Sequence, residues 1–136
     1  MIDKAIEYIK EFFSKDSSGH DDTHTIRVYQ LATRIAKQEK ADILIVQLAA
    51  LLHDVDDIKL SPQTHSTKKN AVDFMIENKV DTEIIERVCK IIDEVSFVGT
   101  DSVVPETIEG KCVQDADRLD AIGAVSYTHL TLPTTG

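Results

Sequence analysis

The chain of 136 residues is 42% hydrophobic and 29% charged, a composition that fits one globular domain with a buried core and excludes a disordered protein. Its formal net charge of −9 argues against a protein that coats nucleic acid, because phosphate backbones are bound by basic surfaces. The longest apolar stretch is too short to span a bilayer and the N-terminus is unlike a secretory signal, so we expect a cytoplasmic protein without a membrane segment.

Helical periodicity of apolar residues runs through almost the whole chain. The first predicted helix has an apolar stripe from Ile2 to Phe13 and stops before a polar stretch that contains glycine. Further helices are predicted at about 23–40, from Asp42 into the pair His53-Asp54, at about 66–78, from 81 or 82 to about 95, and at about 107–125. Since strand alternation, repeats and linkers are missing from this pattern, the sequence predicts one all-α bundle over residues 1–125.

Residues 126–136, at the end of the chain, depart from this pattern. Their apolar side chains have no helical spacing, and threonine and proline oppose continuation of the helix. One interpretation is a native flexible terminus. We favour foreign sequence, introduced at a cloning junction or by a sequence-assembly error, in place of a lost native C-terminus.

Four side chains of metal-binding type lie where helical spacing turns them inward. His24 begins an apolar row of its helix, and His53, followed directly by Asp54, stands one turn after the apolar Ala49. Asp117 lies on an apolar row of the last helix, where an unpaired carboxylate would be costly to bury. Two histidines and two aspartates aimed inward from three helices are better explained by one shared cation than by separate ion pairs.

Three segments of the sequence resemble the HD-domain metal-dependent phosphohydrolase superfamily, which is named for an adjacent His-Asp pair. They are GHDDTHTIRV, LLHDVDD and VQDADRLDAIGA, in the order typical of small bacterial and archaeal HD hydrolases. The resemblance covers about residues 2–125 and implies an HD-domain helical bundle of about six helices with one divalent metal ion between them. Relatives continue into further helical sequence where this chain has its unusual tail. Carried over residue by residue, the metal ligands fall on His24, His53, Asp54 and Asp117.

The predicted ligand set combines nitrogen and oxygen atoms, which suits Mn, Fe, Co, Ni, Zn or Mg and argues against a thiolate-rich structural zinc site. Asp54 and Asp57 are the candidate catalytic carboxylates. Asp57 is four residues after His53 and would orient or deprotonate the attacking water if the chain stays helical there. The alternative for Asp57 is a solvated acid in a loop.

Two basic residues are candidates for binding the phosphate of a substrate. Arg27 follows His24 by one turn and fits either a phosphate contact or a structural clamp on a carboxylate. Lys59 lies just past the His-Asp pair and fits either a phosphate contact or a solvated surface lysine. Near the last ligand, Arg118 and Asp120 are expected to form a structural ion pair or to support a neighbouring ligand.

The sequence therefore predicts a metal-dependent phosphohydrolase acting on a nucleotide or another small phosphorylated metabolite, by hydrolysis of a phosphomonoester or phosphoanhydride. The first alternative is a non-catalytic HD module that senses a ligand or binds a partner. Loss of a ligand would mark such a module, and all four ligands are present. The second alternative, an iron-dependent oxygenase on the same scaffold, would need more histidines for two metals. The sequence leaves a homodimer open.

Overall fold

The computed structural model describes residues 2–14, 22–56, 63–64, 67–96 and 105–131. For residues 121–131 it describes the backbone alone. These ranges contain six helices, and the predicted all-α fold is confirmed. The helices are α1 (Ile2–Ser14), α2 (Asp22–Glu39), α3 (Ile43–Leu52), α4 (Lys69–Glu77), α5 (Thr82–Ser96) and α6 (Ile108–Thr131).

Helix α3 forms the centre of the bundle because it is apolar on most of its faces. Seven of its ten residues are buried, and it packs against α1, α2, α5 and α6. Its first turn is capped by Asp42, whose side chain accepts a hydrogen bond from the backbone N–H of Ile45 at 3.3 Å. The helix ends at Leu52, so His53 is the first residue after it, and its side chain is buried.

Helices α2 and α6 pack directly against each other and bring two parts of the predicted site together. The buried row of α2 consists of Val28, Ala32 and Ala36, and α6 contributes Val113 and Ala116, all fully buried. Small side chains along this contact allow the two helix backbones to approach closely. His24 lies one turn before the first of these residues, and Asp117 one turn after Val113, so both face the same region.

The start of α6 is tied to the rest of the bundle by short contacts. A Cβ atom added at Gly110 would lie 2.7 Å from the Cβ of Pro105 and 3.1 Å from a carboxylate oxygen of Glu94, so glycine allows the first turn of α6 to lie directly against Pro105. On the other side of the helix, the Glu109 carboxylate accepts a hydrogen bond from the backbone N–H of Asp42 at 2.8 Å. These contacts hold the first turn of α6 against the rest of the bundle.

Two predicted helix boundaries were wrong. Helix α4 begins at Lys69 instead of residue 66, because Lys68 adopts a left-handed backbone conformation with φ 54° immediately before it. Helix α6 continues to Thr131 instead of ending at Val125. The helix penalty of threonine is only a few tenths of a kcal/mol, and Pro133 restricts only the residue directly before it. The helical backbone does not test whether residues 126–136 are foreign sequence.

Candidate metal centre

Three of the predicted ligands come together, because both histidines face one carboxylate oxygen of Asp117. The Nε2 atom of His24, in the first turn of α2, lies 3.2 Å from Oδ1 of Asp117, and the Nε2 atom of His53 lies 3.5 Å from the same oxygen. Together these residues offer one ligand atom each within 4.8 Å of one another. His53 is buried, while His24 and Asp117 are partly exposed. The cluster therefore lies where the buried core meets the solvent.

Asp54 lies beside both histidines. Its Oδ1 is 3.4 Å from Nε2 of His53, and its Oδ2 is 3.9 Å from Nε2 of His24. Among the described residues, the group within 4.8 Å comprises the two histidines and Asp117, so Asp54 is placed next to this trio. Its role as a fourth ligand stays a prediction.

Hydrogen bonds at Nδ1 orient both imidazole rings so that both Nε2 atoms face Oδ1 of Asp117. The Nδ1–H of His53 donates to the carbonyl oxygen of Ala50 at 2.6 Å, since a carbonyl can only accept. Nδ1 of His24 lies 2.5 Å from Oδ2 of Asp120, which is also an acceptor. A neutral ring that keeps its proton on Nδ1 presents a lone pair on Nε2, as a metal-binding histidine requires. This donor set fits a single divalent cation.

Arg27 and Asp120 form an ion pair behind His24. Nε of Arg27 donates to Oδ1 of Asp120 at 2.6 Å, and its NH2 group donates to Oδ2 at 3.3 Å. Of the two roles weighed for Arg27, the structure shows the carboxylate clamp, and its guanidinium side chain is still 45% exposed. Asp120 shows both of the roles weighed for it, an ion pair, which it forms with Arg27, and contact with a predicted ligand. The sequence did not predict that this ligand is His24. The spacing Asp117–Asp120, which places both carboxylates on one face of α6, was a signal that both face the same site.

The predicted catalytic Asp57 and the predicted phosphate contact Lys59 lie outside the described residues. Their neighbour Asp56 has a structural role. It is buried, and its two carboxylate oxygens accept hydrogen bonds from the backbone N–H groups of Asn70 and Ala71 at 3.1 and 3.0 Å. Asp56 thus caps the N-terminus of α4 from a distant part of the chain.

The charges of the cluster shift its pKa values in the direction expected for tightly paired groups. Burial lowers the pKa of His53, but the charge of Asp54 and the hydrogen bond to Asp117 outweigh burial and raise it to about 9. A hydrogen bond to Asp117 likewise raises the pKa of His24. Burial raises the pKa of Asp117, whereas its hydrogen bonds to His24 and His53 lower it well below its ordinary range.

The stability of the metal-free protein is expected to fall as the pH rises. Protonated His53 stabilises the folded chain, and this contribution is fully present below the ordinary pKa of 6.5 and is lost as the pH passes about 9. The free energy of unfolding should decrease by at most about 3 kcal/mol over this interval. Urea unfolding in the presence of a chelator measures the change. A His53→Gln variant should show a flatter profile, and a wild-type stability that rises with pH would contradict the expectation.

A family model for the HD domain matches residues 21–122, most of the chain. The chain therefore belongs to the HD-domain family. Membership supports a metal-dependent hydrolase, and the cluster of His24, His53 and Asp117 is a candidate site for its ion.

The chain is similar to YpgQ of Bacillus subtilis, with 43% identity over 120 residues that cover 87% of this chain and 58% of YpgQ. The crystal structure of YpgQ in complex with ADP superposes with a TM-score of 0.71 at 37% identity, covering 93% of this chain and 63% of that one. An HD-superfamily hydrolase from Bacillus thuringiensis superposes with a TM-score of 0.74 at 37% identity, covering 96% and 62%.

A predicted HD-superfamily hydrolase from an uncultured Thermotogales bacterium is also similar, with a TM-score of 0.72 at 31% identity, covering 95% of this chain and 73% of that one. The chain spans less than two thirds of the length of YpgQ and of the Bacillus thuringiensis hydrolase. Within the described part of the chain, no helix combines the length and apolarity that crossing a bilayer requires.

Proposed function

We propose that this HD domain hydrolyses a phosphomonoester or phosphoanhydride bond in a nucleotide or another small phosphorylated metabolite, using one divalent metal ion. The observation that carries the proposal is the arrangement of the two histidines. Their Nε2 atoms, supplied by different parts of the bundle, both face one oxygen of Asp117, while both Nδ1 atoms have acceptors of their own. Such an arrangement leaves two nitrogen lone pairs and a carboxylate for one cation.

A nucleotide is favoured as the substrate because the similar YpgQ was crystallised in complex with ADP. The acidic net charge of this chain does not oppose a small polyanionic substrate, since a bound cation and a few local basic groups reverse the potential within one cleft. Mn, Fe, Co, Ni, Zn and Mg all suit the proposed ligands, because the set contains imidazole and carboxylate and no thiolate.

The proposed roles divide between holding the ion, activating water and binding phosphate. His24, His53 and Asp117 would hold the ion, with Asp54 beside them as the fourth ligand. When bound, a divalent cation lowers the pKa of water and stabilises the charge that develops on a phosphoryl oxygen. Asp57, together with Asp54, is proposed to orient the attacking water and accept its proton.

In the proposed reaction a water oxygen forms a bond to phosphorus while the bond from phosphorus to the leaving oxygen breaks. One proton of the water passes to a carboxylate, which then returns it to the leaving oxygen or to solvent. Arg27 and Lys59 are proposed to contact the phosphate. The exposed part of the Arg27 side chain makes this compatible with its ion pair to Asp120.

The proposal is tested by reconstituting metal-free protein with each candidate cation and assaying nucleoside mono-, di- and triphosphates and a chromogenic phosphate ester. We expect release of phosphate or pyrophosphate from at least one nucleotide, dependent on the added metal. Nucleotide binding without turnover under every metal would contradict catalysis and favour a ligand-sensing HD module. Oxygen consumption in place of phosphate release would indicate an oxygenase.

A further inference from the structure

Asp120 contacts His24 on the opposite side of the imidazole ring from Asp117. Its Oδ2 lies 2.5 Å from Nδ1 of His24, whereas Oδ1 of Asp117 lies 3.2 Å from Nε2. Asp120 is only 8% exposed, and both of its oxygens also accept hydrogen bonds from Arg27. A buried carboxylate held at two points is a rigid acceptor, because neither oxygen can turn away without losing a charged partner.

The two histidines of the centre differ in what fixes their Nδ1 atoms. His53 donates to the carbonyl oxygen of Ala50, a backbone atom whose position is set by α3. His24 stands in the first turn of α2, is partly exposed, and has a side-chain carboxylate in the equivalent role. The tautomer of His24 therefore depends on one replaceable residue.

Competition between two carboxylates decides where neutral His24 keeps its proton. Asp117 would accept a proton placed on Nε2, and neutral imidazole in water itself favours the Nε2–H form. A ring with its proton on Nε2 has no lone pair there for a metal. The shorter contact to Asp120 favours the Nδ1–H form instead.

We propose that Asp120 is a positioning residue: its carboxylate, held by Arg27, keeps the proton of His24 on Nδ1 and turns Nε2 toward Asp117 as a metal-binding nitrogen. This inference rests on the proposed metal centre. Partners of this kind, which orient a metal-binding histidine, change metal affinity by about 10- to 100-fold when removed. Removing Asp120 is expected to reduce zinc affinity within that range.

The tautomer of each histidine can be measured directly in metal-free protein. Long-range ¹H–¹⁵N correlation spectra of labelled protein, recorded above the titration of both rings, distinguish Nδ1–H from Nε2–H. We expect both His24 and His53 of the wild type to be in the Nδ1–H form. In Asp120→Ala, His24 should shift to the Nε2–H form while His53, which bonds to a backbone oxygen, stays unchanged and serves as an internal control.

Calorimetric titration with zinc links the tautomer to metal binding. Asp120→Ala should lose affinity, and Asp120→Asn should recover most of it because an amide oxygen can still accept from Nδ1–H. The matched control is Asp115→Ala, an exposed aspartate of the same helix, which should leave the tautomers and the affinity unchanged. Circular dichroism of each variant reports whether the fold is intact.

The role of Asp120 would be overturned if folded Asp120→Ala kept its His24 tautomer and its zinc affinity. If that variant does not fold, the wild-type spectrum decides, because a wild-type His24 in the Nε2–H form contradicts the proposal without any substitution. The proposed metal centre fails separately, if wild-type protein with the Nδ1–H tautomer at both rings binds no zinc.

Discussion

Replacing Asp117 with asparagine is expected to abolish metal binding and phosphate release together. The Oδ1 atom of Asp117 is the point at which both histidine Nε2 atoms meet, and its negative charge offsets the positive charge of a bound cation. Residues that only support a metal ligand change affinity by about 10- to 100-fold, so a ligand should cost at least about 100-fold. Turnover should fall by about 1000-fold or more, because a metal ion contributes several kcal/mol to the stabilisation of the transition state.

The matched control for this substitution is Asp115→Asn. Both changes remove one negative charge from α6, but Asp115 is exposed, and its position two residues before Asp117 turns its side chain to another face of the helix. Zinc titration and the nucleotide assay should show near wild-type values for Asp115→Asn. A folded Asp117→Asn protein that retains both metal binding and turnover would show that Asp117 is not part of the centre.

Replacing Asp56 with alanine is expected to give a large loss of stability. Its buried carboxylate accepts one hydrogen bond on each oxygen from the N-terminal N–H groups of α4, where the helix dipole also favours a negative charge. Loss of both bonds should lower the free energy of unfolding by about 2–4 kcal/mol. Urea denaturation of the metal-free protein measures this change. The Asp56→Asn protein keeps one acceptor oxygen, so its free energy of unfolding should lie between those of the wild type and Asp56→Ala.

Asp73→Ala is the control for Asp56→Ala, because Asp73 also lies in α4 but is exposed and forms its ion pair with the exposed Lys69. Its substitution should leave the unfolding free energy nearly unchanged. Equal stabilities of the Asp56→Ala and wild-type proteins would mean that α4 does not depend on this distant cap.

Helical periodicity placed three of the four predicted metal ligands on inward rows, and the structure brings these three side chains together, whereas their binding of a metal stays a prediction. His24, His53 and Asp117 each lie one turn from a buried small or aliphatic residue, and this placement follows from helical periodicity. Packing of α2 and α6 on the central α3 then brings the three rows to one point. The all-α class follows from the same periodicity.

Contacts between residues far apart in the chain could not be predicted in this way. The start of α4 depends on Asp56, which caps it from 14 and 15 residues away, whereas the local sequence before residue 69 suggested an earlier start. The partner of Asp120 depends on how α6 crosses α2, because His24 is 96 residues away. Both contacts depend on the packing of segments that are far apart in the chain, and a local sequence pattern does not determine such packing.

Anomalous X-ray diffraction from crystals of protein loaded with cobalt or zinc tests the shared metal centre most directly. The account predicts one strong anomalous peak per chain, at about 2.0–2.2 Å from Nε2 of His24, Nε2 of His53 and a carboxylate oxygen of Asp117. A peak at any other group of side chains, or no peak from protein that binds the metal in solution, would contradict it.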